Sequence, residues 1–112
     1  MRLTNKKALE KFKRKHKGNK LLALAIEKLV HDIETNHWKS QIELQTIRSD
    51  ADCVHSDGFY FFNISMFRTM VLIEFYEQEA SVVWCGNHKD YELTFRNNKR
   101  TIKNWLSSRN WI

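Results

Sequence analysis

Residues 59–84, FYFFNISMFRTMVLIEFYEQEASVVW, decide the fold. They hold three apolar, β-rich runs: Phe59–Ile64, Arg68–Phe75 and Ala80–Trp84. The links between them, Ser65-Met66 and Glu77-Gln78-Glu79, are short. Aromatic and β-branched runs joined so tightly predict an antiparallel meander. Their apolarity is continuous rather than alternating, so both faces of the sheet need cover.

Working outward, Leu22, Ile26, Leu29 and Ile33 recur at i, i+4, i+7 and i+11. That spacing predicts a helix over 20–35, its stripe widened by Leu21, Ala25 and Val30. Residues 4–16 predict a first helix, capped by Thr4 or Asn5. It carries Leu9, Phe12 and His16 on one face and Lys6, Lys7, Lys13, Arg14 and Lys17 on the others. Gly18-Asn19 separates the two, and so short a break predicts an antiparallel helical hairpin able to cover one sheet face. Trp38–Ile47 alternates weakly and reads as a further strand or an irregular connection. The polar, acidic stretch Ser49–Gly58 reads as a loop. Near the end, Ile102, Trp105 and Leu106 have helical spacing, so the basic tail 96–112 either docks as a helix or orders only on a partner. The expectation is one α+β domain over 1–112, with a helical hairpin on a three- to four-stranded antiparallel sheet and a basic C-terminal segment.

The net charge of +6 is unevenly spread. Residues 1–20 hold nine Lys/Arg against Glu10 alone, and 93–112 hold five with no acid. The body between them holds five basic and twelve acidic residues. Two basic ends on an acidic body point to contact with a polyanion such as nucleic acid. No run of about 18 apolar residues exists, so no membrane partner is expected. No apolar segment follows the basic start, so no secretory signal is read there. Cys53 and Cys85 have neither paired nor metal-type spacing and are expected as free thiols in the reducing cytoplasm. The sequence has no P-loop, nucleophile elbow or paired-carboxylate pattern. Asp50, Asp52 and Asp57 resemble a calcium loop, but the glycine and the distal glutamate are misplaced, so a solvated loop is expected. No metal or cofactor is expected.

Three stretches, in order, resemble the HigB toxins of the RelE superfamily. The first is Asn36-His37-Trp38-Lys39, following the second helix. The second is Phe62-Asn63-Ile64 with Arg68 opening the next strand. The third is Gly86-Asn87-His88-Lys89-Asp90-Tyr91-Glu92, in which Asn87 stands where the family usually has threonine. The resemblance spans roughly residues 20–95. It implies a RelE-like α+β fold, cleavage of messenger RNA on the translating ribosome, and neutralisation by a HigA-type helix-turn-helix antitoxin. Operator DNA would then be reached only through that antitoxin.

RNA cleavage without a metal uses the substrate's own 2′-hydroxyl as nucleophile. It needs a base for that proton, a proton for the leaving 5′-oxygen, and cations for the phosphate charge. His88 is the first candidate, as acid, base or phosphate donor, or else a histidine bonding the turn. Arg68 opens a strand where an apolar residue fits better, so it is the phosphate clamp or the ion-pair partner of Asp90 or Glu92. Tyr91 stacks on a base, donates a proton, or is a core tyrosine with a satisfied hydroxyl. Lys13, Arg14, Lys15, Lys17 and Lys89 are the candidate RNA-backbone contacts.

Overall fold

The computed structural model describes residues 1–112. The chain runs β1 (Arg2–Thr4), α1 (Lys6–Lys15), α2 (Lys20–Thr35), α3 (Gln41–Ile47), β2 (Asp52–His55), β3 (Phe59–Ile64), β4 (Phe67–Glu74), β5 (Glu79–Asn87), α4 (His88–Phe95) and α5 (Lys99–Ser108). The strands form one sheet in the order β1-β5-β4-β3-β2. β2 to β5 are antiparallel neighbours, so the expected meander is present, while β1 joins β5 in parallel.

The sheet is apolar on both faces because alternate residues of each strand feed different cores. Tyr60, Phe62, Ile64, Val71, Ile73, Ala80 and Val82 face Leu9 of α1 and Leu22, Ile26, Leu29 and Ile33 of α2. Phe59, Phe61 and Met70 face Tyr91 and Phe95 of α4 and Ile102 and Leu106 of α5. The periodic stripe of α2 is therefore buried as its spacing predicts. The C-terminal segment forms a pair of helices and supplies the second cover. Burying one aromatic ring such as Phe95, which is fully enclosed, contributes about 2–3 kcal/mol.

Several sequence expectations are corrected. Trp38–Ile47 forms no strand: Trp38 is buried and α3 follows, its first turn capped by Ser40, whose hydroxyl accepts from the Glu43 amide at 3.3 Å. Ser49–Gly58 is not all loop, since β2 pairs with β3 through Asp52, Cys53 and His55, with only Val54 buried. β1 raises the sheet to five strands rather than three or four. Local polarity hid it, because it is held by partners distant in sequence. Arg2 pairs with Glu79, the Thr4 and Ser81 hydroxyls lie 2.7 Å apart, and Asn5 Nδ2 donates to the Val82 carbonyl at 2.8 Å. That last bond also takes Asn5 away from capping α1, where it sits in a left-handed conformation with no side-chain cap bond. Leu21 does not widen the α2 stripe; it is 70% exposed.

Behind the hairpin, Asp32 is buried and bonded to Lys28 at 2.5 Å and Arg48 at 3.3 Å. Arg48 also reaches Asp50 at 2.8 Å and the Asn63 carbonyl at 3.1 Å, tying α2, the end of α3 and β3 together. The amine of Met1 donates to the carbonyls of Ile33 (2.9 Å) and Asn36 (2.6 Å), fixing β1 against the end of α2.

Tyr60 gives the fold a pH signature. Burial, reinforced by the neighbouring Cys53, pushes its phenol up from 10.0 to about 12, while its hydroxyl donates to Gln41 at 3.1 Å. A phenol that holds its proton more tightly folded than unfolded stabilises the fold below pH 10, and that contribution is lost as pH rises towards 12. Urea unfolding of the wild type should therefore show stability falling between these pH values. Tyr60→Phe should flatten the decline, and an equally steep decline in that variant would refute the assignment.

Candidate functional site

The candidate residues gather where β4 begins and β5 ends. Arg68 lies opposite Asn63 on one side and Gly86 on the other. A register shift between Met70 and Val71 places Met70 opposite Trp84 and Val71 opposite Val82, so Val83 is the extra residue of a β-bulge. Beyond the bulge, Trp84 and Gly86 share the face of Arg68. Gly86 needs its missing side chain, because a Cβ there would overlap the Trp84 ring and come within 3.2 Å of the Asp90 Cβ. The Trp84 ring has little room to move away, with Phe61 at 6.2 Å and Phe95 at 5.0 Å, both edge-on.

Asn87 ends β5 and caps α4, its Oδ1 accepting from the Asp90 amide at 2.7 Å. A threonine can cap in the same way, which gives a physical reason for either residue at this position. The cap turns the chain so that His88 and Lys89 stand exposed on the first turn of α4 while Tyr91 is buried. The Tyr91 hydroxyl donates to Asn97 Oδ1 at 3.0 Å, making it the core tyrosine with a satisfied hydroxyl. Its ring is the platform for Arg68, whose guanidinium carbon lies 4.7 Å from the ring centre and 5.8 Å from that of Phe61. This is the geometry of a cation held by aromatic faces.

Arg68 forms no ion pair with Asp90, Glu92 or any other acid. Its Nε is buried without a hydrogen-bond partner. A buried donor left unpaired in this way costs about 1–3 kcal/mol. Burial raises the Tyr91 phenol above its ordinary 10.0; Arg68 opposes the rise, while Asp52 and Glu92 add to it. The tyrosine is thus a neutral donor at physiological pH.

The remaining expected residues border two clefts. Lys13, Arg14 and Lys17 border a cleft of about 440 Å³ with His16 and Gly18. Lys13 is already paired with Glu10 at 3.2 Å. Lys15 borders a different cleft of about 290 Å³ between α1 and β5, together with Lys11, which sequence reasoning passed over although it stands one turn from Lys15. Lys15 and Lys11 thus stand beside Val83 and Trp84, which pack on the core of Tyr91, while His16 and Phe12 of the same segment pack on Phe67. The α1 cations approach the same end of the sheet as Arg68, because His16 lies 4.9 Å from Phe67 and Phe67 pairs with Asn87. A larger cleft of about 900 Å³, bordered by Met1, Arg2, Glu34 and His37, contains none of the expected residues. Two of its charges are spent internally, Arg2 on Glu79 and Glu34 on Lys6. No group of three or more His, Cys, Asp or Glu side chains has metal-holding geometry, and both cysteines are free. No helix is long and apolar enough to cross a membrane.

The family described as HigB toxin, the RelE-like toxic component of a toxin–antitoxin system, matches residues 23–94. The chain belongs to this family. It is accordingly the toxin component of such a system, with an antitoxin as its counterpart. Comparison with curated proteins gives no match. The HigB match runs from the first turn of α2 almost to the end of α4, leaving α1 and α5 outside it. It therefore includes Arg68, His88, Lys89 and Tyr91, but none of the α1 cations.

Two outcomes test this geometry. Gly86→Ala should destabilise the protein by about 1–3 kcal/mol in chemical denaturation, since the Trp84 ring cannot yield; a neutral result would mean that the ring repacks freely. Arg68→Ala should raise the Tyr91 phenol further, because the charge opposing its rise is gone. Alkaline titration at the tyrosinate absorbance band, with Tyr91→Phe to assign the signal, checks the direction.

Proposed function

We propose that this toxin is an endoribonuclease that cuts messenger RNA on the ribosome and thereby inhibits translation, with no metal cofactor. The observation that carries the reading is Arg68, a guanidinium held on the Tyr91 ring with no acidic partner. Such a cation is free to take a phosphate oxygen, and the rigid aromatic support preorganises it for the charge that develops in the transition state. His88, exposed on the same helix as Tyr91, exchanges protons with the reacting ribose and phosphate.

In the proposed step the 2′-hydroxyl loses its proton and its oxygen attacks phosphorus. The bond to the 5′-oxygen breaks, leaving a 2′,3′-cyclic phosphate, and the departing oxygen takes up a proton. His88 handles one of these two transfers and solvent water the other. Arg68 neutralises the added negative charge. Tyr91 positions Arg68, and Lys89 raises the local positive potential. Lys13, Arg14, Lys15 and Lys17 contact RNA backbone from the α1 side.

The counterpart in this reading is a HigA-type helix-turn-helix antitoxin, acting in the cytoplasm. It covers the Arg68 end of the sheet or blocks ribosome entry by its bulk. Operator DNA is bound through the antitoxin, because the acidic body of this chain does not suit a DNA-gripping surface.

Wild type and the Arg68→Ala/His88→Ala double variant should be induced separately and RNA 5′ ends mapped across the transcriptome, with folding of both proteins checked by circular dichroism. Codon-phased cuts and growth arrest are expected with the wild type only. Equal cutting by a folded double variant would remove these residues from the site. Arrest without cuts would replace the nuclease with a ribosome-binding module.

A further inference from the structure

Helix α5 lies outside the family-matched region and carries most of the basic tail. Ile102 and Leu106 bury its inner face in the core that contains Val54 and Phe59. Lys99, Arg100 and Lys103 are exposed and border a cleft of about 510 Å³, with His55 and Ser56 of the β2 end opposite. No acid lines this cleft, and none of the three cations enters an ion pair. Asp57, on the adjoining turn, has its carboxylate 4.0 Å from His55 Nδ1. The amides of Arg100 and Thr101 are taken by Asn98 Oδ1, so the side chains, not the helix end, supply the positive potential.

We propose that this cleft is a second RNA-backbone site, separate from Arg68. The inference rests on the reading of the chain as an RNA-acting protein. Lys103 is a like-charged neighbour of Lys99 at i,i+4 and of Arg100 at i,i+3, which destabilises the isolated helix. The three cations are spread over about 6 Å along the helix rather than converged on a point, which suits successive phosphates better than a single small anion. The cleft also belongs to the layer of Tyr91 and Phe95, whose side chains share one core with Ile102 and Leu106. One RNA strand can therefore engage Arg68 and α5 on the same face of the molecule.

The test uses the full chain and a fluorescein-labelled, fully 2′-O-methylated single-stranded RNA 20-mer of mixed sequence, which lacks the nucleophile and stays intact. Anisotropy titrations over a range of salt give affinity and its salt slope. Lys99→Gln/Arg100→Gln/Lys103→Gln should weaken binding at least tenfold at low salt and make the slope shallower by about 2, for three lost phosphate contacts. Lys99→Arg/Lys103→Arg should bind like the wild type, and thermal melts should confirm that both variants fold. Unchanged affinity and slope in the triple variant would overturn the proposal. So would a triple variant that keeps RNA but loses a labelled 20-residue poly-glutamate peptide, since the cleft would then fit an acidic protein segment. Wild type that fails to bind the RNA refutes this site, while the nuclease reading stands or falls on the mapped RNA 5′ ends. Binding that depends on α5, in a protein that leaves no cut ends in cells, supports the site while refuting the nuclease.

Discussion

A sheet that is apolar on both faces must be covered twice, and that requirement organises the whole molecule. The α1–α2 pair covers one face with the stripe from Leu22 to Ile33. The other face, with Phe59, Phe61 and Met70, would expose a large aromatic surface without Phe95, Ile102 and Leu106. Large exposed apolar patches favour association. The C-terminal helices are therefore structural before they are anything else. Because α4 must dock on that face directly after β5 ends, Tyr91 is brought beneath Arg68 by the demand for cover.

Strand phase sets the rest of the site. The bulge at Val83 shifts the alternation of β5, so that Trp84 joins the second face and Gly86 stands beside Arg68. Without the extra residue, the final turns of β5 would present the opposite face at each position. Gly86 leaves the space that the Trp84 ring fills, and Trp84, Phe61 and Phe95 make edge-to-face contacts that immobilise the aromatic floor. Arg68 thus rests on a surface whose position is over-determined by packing. This is the condition under which a single cation can hold a definite geometry.

The elements legible in the sequence were those whose stabilisation is local or periodic. The stripe of α2 and the three runs of the meander announce themselves through spacing and composition. β1 and β2 did not, because neither has an apolar alternation of its own: each contributes a single buried residue, Leu3 or Val54, and is held by partners far along the chain. α3 was legible in principle. Ser40-Gln41-Ile42-Glu43 carries the capping spacing in which a hydroxyl and a glutamate flank a helix start, but the exposed Ile42 and Ile47 imitated a strand. The start of α4 was likewise marked by Asn87 and Asp90. At the site, the family motif led to Arg68, His88 and Tyr91, and the lack of an acid beside Arg68 lay beyond sequence reading. Asp90 and Glu92 are near in the chain, and only three-dimensional placement turns them away.

Charge distribution gives the site its sense. The acidic body contains many carboxylates, yet those engaged in ion pairs serve the scaffold. Asp32 and Asp50 hold Arg48, Glu34 holds Lys6, and Glu79 holds Arg2. Arg68, Lys89 and the α5 cations are left uncompensated on the face that carries α4 and α5. Arg68 pairs with neither acid of the first turns of α4, Asp90 or Glu92. The fold instead keeps the guanidinium on an aromatic ring, where the attraction is weaker than a buried ion pair and leaves donors free. The arrangement suits the proposed action on RNA: a carboxylate partner would compete with every phosphate that arrived, whereas an aromatic face orients the cation without competing for its hydrogen bonds.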